Sequence, residues 1–148
     1  MSVPRSVRNN NPGNILRTNI AWEGLQAQDA MTPEQQAEER FCVFAAPKWG
    51  FRALARDLNA KWHRGLHSVR QIMAVYAPSN ENDTGAYVAA VCRMMGVGPD
   101  DPLQLDDRAQ LASLCRAIAV HEAGGWVFSD DDLAEGVRLA LELPTMLV

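Results

Sequence analysis

The sequence predicts a mainly α single domain over residues 1–148 with a small β element. Three observations carry this. Stretches of apolar residues spaced three and four apart recur along the chain, only one short run is rich in β-formers, and no linker is long enough to separate two domains. A length of 148 residues suits one core. Hydrophobic residues at 47% can fill that core, and charged residues at 22% argue against disorder.

Residues 1 to 16 read as either an ordered turn or a flexible tail. Arg8-Asn9-Asn10-Asn11-Pro12-Gly13-Asn14-Ile15 concentrates the residue types that tolerate left-handed backbone or fix a turn. Trp22-Glu23-Gly24-Leu25 follows, and residues 26–40 form either an exposed loop or a short helix starting at Thr32. Phe41-Cys42-Val43-Phe44 is the β-prone run, punctuated by Pro47.

A helix is expected from about Lys48 to His63, with Phe51, Leu54, Leu58 and Trp62 on one stripe and Gly65 after its end. Ser68 caps a second, whose inner face carries Val69, Ile72, Met73 and Tyr76, and Ala77-Pro78 stops it. A third carries Tyr87, Val88, Val91, Cys92 and Met95 and closes at Gly96. After a loop at 98–102, a longer helix begins near Asp106, buries Leu111, Leu114, Cys115 and Ile118, and ends at Gly124-Gly125. Ser129-Asp130-Asp131-Asp132 caps a last helix, stopped by Pro144.

A net charge of −4 offers no basic face for a phosphate polyanion, so nucleic acid is not an expected partner. No apolar run reaches membrane-spanning length, and the opening residues lack the apolar stretch of a secretion signal. Cys42, Cys92 and Cys115 have no paired spacing and read as buried free thiols. No metal or cofactor motif is present: His121 lacks a second histidine four residues on, where Gly125 stands.

Glu122 is the residue that stands out. It continues the stripe of Cys115 and Ile118 at a helix C-terminus, where burial and the negative helix end would both raise a carboxyl pKa. A carboxyl kept protonated near neutral pH suits a general acid. Periodicity alone favours the plainer reading, in which the side chain turns outward or caps a neighbouring helix. Tyr76-Ala77-Pro78-Ser79-Asn80-Glu81-Asn82-Asp83-Thr84 gathers hydroxyls, amides and carboxylates beside aromatic rings, as sugar sites do, and serves equally as an interhelical loop with Asp83 or Thr84 as cap. The asparagines before Pro12 line a cleft or simply build turns. Trp22, Trp49, Trp62 and Trp126 read as core residues before ligand platforms, with Trp126, close to Glu122, the best exception.

These motifs, together with Pro47-Lys-Trp-Gly-Phe-Arg-Ala-Leu54 and His121-Glu-Ala-Gly124, resemble a family of small phage and prophage proteins usually labelled structural or virion proteins. A more distant resemblance is to lysozyme-like glucosaminidases of the flagellum-associated and autolysin type. Glu122-Ala-Gly-Gly-Trp126 is similar to their acid-bearing segment, Asn11-Pro-Gly-Asn-Ile15 to the segment that follows it, and Trp22-Glu-Gly24, Phe41–Ala46, Tyr76-Ala77 and Tyr87-Val-Ala89 to later ones. In this chain the acid-bearing helix comes late rather than first, so the resemblance implies a circularly permuted lysozyme-like domain.

It further implies cleavage of peptidoglycan glycan strands by a muramidase, glucosaminidase or lytic transglycosylase. Glu122 would be the acid, with Asn11, Asn14, Glu81, Asn82, Thr84 and Tyr87 lining the cleft. The second carboxylate is open among Glu34, Glu38, Glu39 and Glu81, with Glu23 at the variable position of its motif. The alternative is a non-catalytic virion or tail protein that keeps the fold or only binds glycan. Partners are then glycan strands and virion or tail proteins. The protein would be virion-associated, or made in the host cytoplasm and delivered to the periplasm and cell wall.

Overall fold

A computed structural model describes residues 3–80 and 82–142. The described chain is mainly helical: α1 Arg5–Arg8, α2 Pro33–Gln36, α3 Pro47–His63, α4 Val69–Tyr76, α5 Thr84–Met95, α6 Arg108–Ala123 and α7 Asp130–Glu142, with a 3-10 turn at Gln28–Ala30. The expected stop at Pro144 lies outside the described residues.

Local chemistry sets the helix starts. Thr32 and Gln35 form a reciprocal capping box, which makes the 26–40 region partly helical. Ser68 accepts from the Gln71 N–H, Asp83 from Ala86 and Asp107 from Gln110. Ser129 accepts from the Asp132 N–H and donates to its carboxylate, the arrangement its sequence predicts. α5 and α6 end in left-handed glycines, Gly96 and Gly124.

α3 is the central element, packed most extensively against α7 and also against α6 and α4, while α5 lies on α6 and α4. The closeness of α3 and α7 depends on Gly136, where a Cβ would sit 2.5 Å from Phe51 Cβ and 2.8 Å from the Lys48 carbonyl oxygen. Phe51, Leu54 and Leu58 of α3 and Leu111, Leu114, Cys115 and Ile118 of α6 are fully buried, as their periodicity predicts. Trp62 is only partly buried and donates its indole N–H to the Leu103 carbonyl. The loop before α6 adds Leu103 and Leu105 to the core. Cys42, Cys92 and Cys115 are free and buried.

The β-prone run is smaller than expected. Among the described residues it forms only two isolated antiparallel bridges, Phe41 with Leu16 and Phe44 with Leu25. The Cys42 N–H donates to the Ile15 carbonyl on one side, and the Gln26 N–H donates to the Val43 carbonyl on the other. Neither pairing extends into a strand, and α3 begins three residues after Phe44. Among the described residues, no helix is long and apolar enough to cross a membrane.

Candidate active site

The Asn-rich segment sits on the N-terminal end of α3. A Cβ at Gly50 would lie 2.2 Å from the Asn10 carbonyl oxygen and 2.6 Å from Pro12 Cδ, so only glycine admits this approach. Asn10 and Asn14 have φ of 51° and 49°, left-handed values that asparagine tolerates better than most residues. Asn11 between them is fully buried. Its amide donates to the Ile15 and Cys42 carbonyls and accepts from the Ile15 N–H. Asn11, expected in the cleft, is therefore the internal fastener of the turn.

Held this way, Asn14 reaches α6. Its Nδ2 donates to Glu122 Oε1 at 2.6 Å, and the Tyr87 hydroxyl from α5 donates to Glu122 Oε2, also at 2.6 Å. Three separate segments thus converge on one carboxylate. Burial foremost, then the charges of Tyr76 and Glu122, raises the Tyr87 pKa far above its ordinary value, so its phenol stays protonated and donates. Tyr76 is likewise pushed up by burial first and then by Glu122 and Asp57, and it donates to the Gly13 carbonyl. The His121 ring packs on Tyr87 with centroids 3.9 Å apart.

Glu122 faces a cavity of about 260 Å³, lined also by Arg5, Gly13, Asn14, Arg40, Phe41, Tyr76, Ala77 and Asn82. A second cavity of about 190 Å³ shares Asn14, Leu16 and Tyr76 with it and continues past Trp22 to the Asp57–Lys61 ion pair, 2.7 Å long. The two make one groove, bent around Tyr76.

Of the residues expected at the site, Glu122, Asn14, Tyr87 and Asn82 come together. Thr84 does not line the cavity: its hydroxyl donates to the Ala77 carbonyl at 2.5 Å and ties the start of α5 to the end of α4. Glu81 lies outside the described residues. Trp126 packs on Phe51 and beneath the Arg116 guanidinium, 4.1 Å from its ring centroid, rather than lining the groove.

Glu34 and Glu39 are exposed and do not line this cavity, and Glu23 pairs with Arg52 at 3.4 Å. Glu38 is buried and structural. It accepts from Arg8 and Asn9 side chains and from the Arg40 and Phe41 N–H groups. Burial raises its pKa, but these hydrogen bonds and the charge of Arg5 outweigh that and bring it to about 2.

Sequence reasoning missed Arg5, Arg40, Asp57 and Lys61. The spacing of Asp57 and Lys61, four apart on one helix, was a legible ion-pair signal; Arg5 and Arg40 had none.

No family model matches the chain. Protein P5 of Pseudoalteromonas phage PM2 is 32% identical over 136 residues, which cover 89% of this chain and 79% of that protein. The chain belongs to the family of this phage protein. Membership in a phage family agrees with the phage association that the motifs implied; it assigns no activity.

Proposed function

We propose that this phage-family protein cleaves the glycan strands of peptidoglycan, with Glu122 as general acid on a circularly permuted lysozyme-like domain. The observation that carries the reading is the convergence of Asn14, Tyr87 and Glu122 at one cavity. The permuted order of motifs requires the Asn-Pro-Gly-Asn turn, the second tyrosine and the acid-bearing helix to meet, although Asn14 and Glu122 are 108 residues apart.

The chemistry follows from the donors. Glu122 transfers a proton to the glycosidic oxygen as the bond to the sugar C1 breaks, and the carboxylate it becomes is held by Asn14 and Tyr87. Both partners can also serve the acid form, because an amide presents an oxygen as well as a nitrogen and a phenol accepts as well as donates. Among the described residues that line this cavity, Glu122 is the only carboxylate, and Asp57 lines the adjoining one. Attack on C1 then comes either from a water activated by a second carboxylate or from the sugar's own hydroxyl or acetamido group. Asn82, which lines this cavity, would hydrogen-bond the sugar, and the adjoining cavity past Tyr76 would take a neighbouring one.

A second reading is a virion or tail component that keeps the fold or only binds glycan. Its support is that both Glu122 oxygens already have protein partners. Incubation of purified protein with peptidoglycan sacculi separates the two: muropeptides released by the wild type, but not by Glu122→Gln, support the enzyme.

A further inference from the structure

The groove has two arms. Among the described residues that line them, each arm holds one carboxylate, Glu122 in one and Asp57 in the other. Asp57 stands on α3, four residues before its partner Lys61. On an outer helix face such a pair would serve the helix alone. This pair opens into the groove instead. Lys61 is buried, the Asp57 side chain is 27% exposed, and both line the arm beyond Tyr76. Lys61 Nζ takes one Asp57 oxygen, Oδ2, at 2.7 Å and lies 5.8 Å from the Tyr76 ring centroid. Among the described residues no hydrogen bond engages the other oxygen, Oδ1. Both carboxylates act on Tyr76: after burial, the charges of Glu122 and then of Asp57 raise its pKa, so both lie within electrostatic reach of one phenol.

We propose that Asp57 is the second carboxylate of the site, the base that activates a water for attack on the sugar C1. The inference rests on the glycan-cleaving reading and supplies the group which that reading leaves open. Lys61 holds the carboxylate by Oδ2 and leaves Oδ1 to accept a hydrogen bond from the water. Glu122 gives its proton to the glycosidic oxygen as the C1–O bond breaks. The water oxygen bonds to C1, and the water's proton passes to Asp57. The pair ends as a Glu122 carboxylate and an Asp57 acid, and proton exchange with solvent resets both. Acid and base of an inverting pair stand about 6.5–9.5 Å apart, which leaves room for the water. Two acids in adjoining arms of one groove suit that arrangement; two acids in contact would not. The water attacks the face opposite the leaving group, so a β-linked strand yields reducing ends in the α configuration.

The test begins with the wild-type protein and needs no substitution. Sacculi are digested in water enriched in oxygen-18, and the fresh products are read by mass and by proton NMR. Each new reducing end should carry one heavy oxygen and appear first as the α anomer. Asp57→Asn, confirmed folded by circular dichroism, should release at least about a hundredfold less, the scale of general base catalysis. Sodium azide should restore release by Asp57→Ala, because the small anion attacks C1 without a base, and the product should be an α-glycosyl azide. A role confined to the helix ion pair would give no such rescue. Anhydro ends, β anomers formed first, undiminished release by Asp57→Asn or absence of the azide product would each overturn the base while leaving Glu122 and the glycan reading standing. No release by the wild type overturns both.

Discussion

Asn14 and Glu122 meet through a 2.6 Å hydrogen bond across 108 residues of sequence. Asn14 reaches that position because left-handed backbone at Asn10 and Asn14, the buried amide of Asn11 and the absent side chain of Gly50 lock the turn onto α3. The geometry at Glu122 is therefore set by packing some distance from it.

Gly50→Ala tests that dependence. The new methyl would meet the Asn10 carbonyl and the Pro12 ring, neither of which can yield by rotating a side chain. The variant should lose about 2 kcal/mol of stability and, with Asn14 displaced, most of its sugar release. Gly125→Ala is the control, since nothing lies within 4 Å of its Cβ; its unfolding free energy should stay within about 0.5 kcal/mol of wild type. Thermal melting with a parallel sacculus assay reads both.

Tyr87→Phe removes one of the two donors to Glu122 and leaves the ring against His121. Turnover should fall about tenfold, as expected for a lost hydrogen bond to a charged group, with little change in apparent KM. A change confined to KM would place Tyr87 in substrate binding alone.

Much of the scaffold was legible in the sequence. Ser68 and Ser129 cap the helices they were expected to cap, Asp83 rather than Thr84 caps α5, and the α3 and α6 stripes are buried as their spacing requires, apart from the partly buried Trp62. The site was legible in part. Asparagines 11 and 14 look alike in sequence, and only the turn's dihedral angles decide that one fastens the backbone while the other faces Glu122. Phe41–Phe44 had strand-forming residues but no extended partner, so it paired as single bridges. Arg40 adjoins Phe41 in sequence, but only the fold brings Arg5 to the same ring.

Glu38 sets an acid limit on stability. Its folded pKa, about 2, lies below the ordinary 4.5, so its contribution is fully present above the unfolded value and is lost as pH falls from about 4.5 toward 2. The shift corresponds to about 3 kcal/mol. Glu38→Gln should be less stable than wild type at pH 7 by up to that amount, and the gap should close toward pH 2. Denaturant unfolding at a series of pH values measures it; a gap independent of pH would show that Glu38 acts by shape rather than by charge.

The central claim is that Glu122 is an acid acting on glycan. Its most direct test is mass analysis of soluble products from purified sacculi treated with wild type or with Glu122→Gln, both confirmed folded by circular dichroism. The wild type should release muropeptides ending in anhydro or reducing sugars. The variant should release at least about a hundredfold less, the scale of general acid catalysis. Equal release by the two proteins, or none from the wild type, would contradict it.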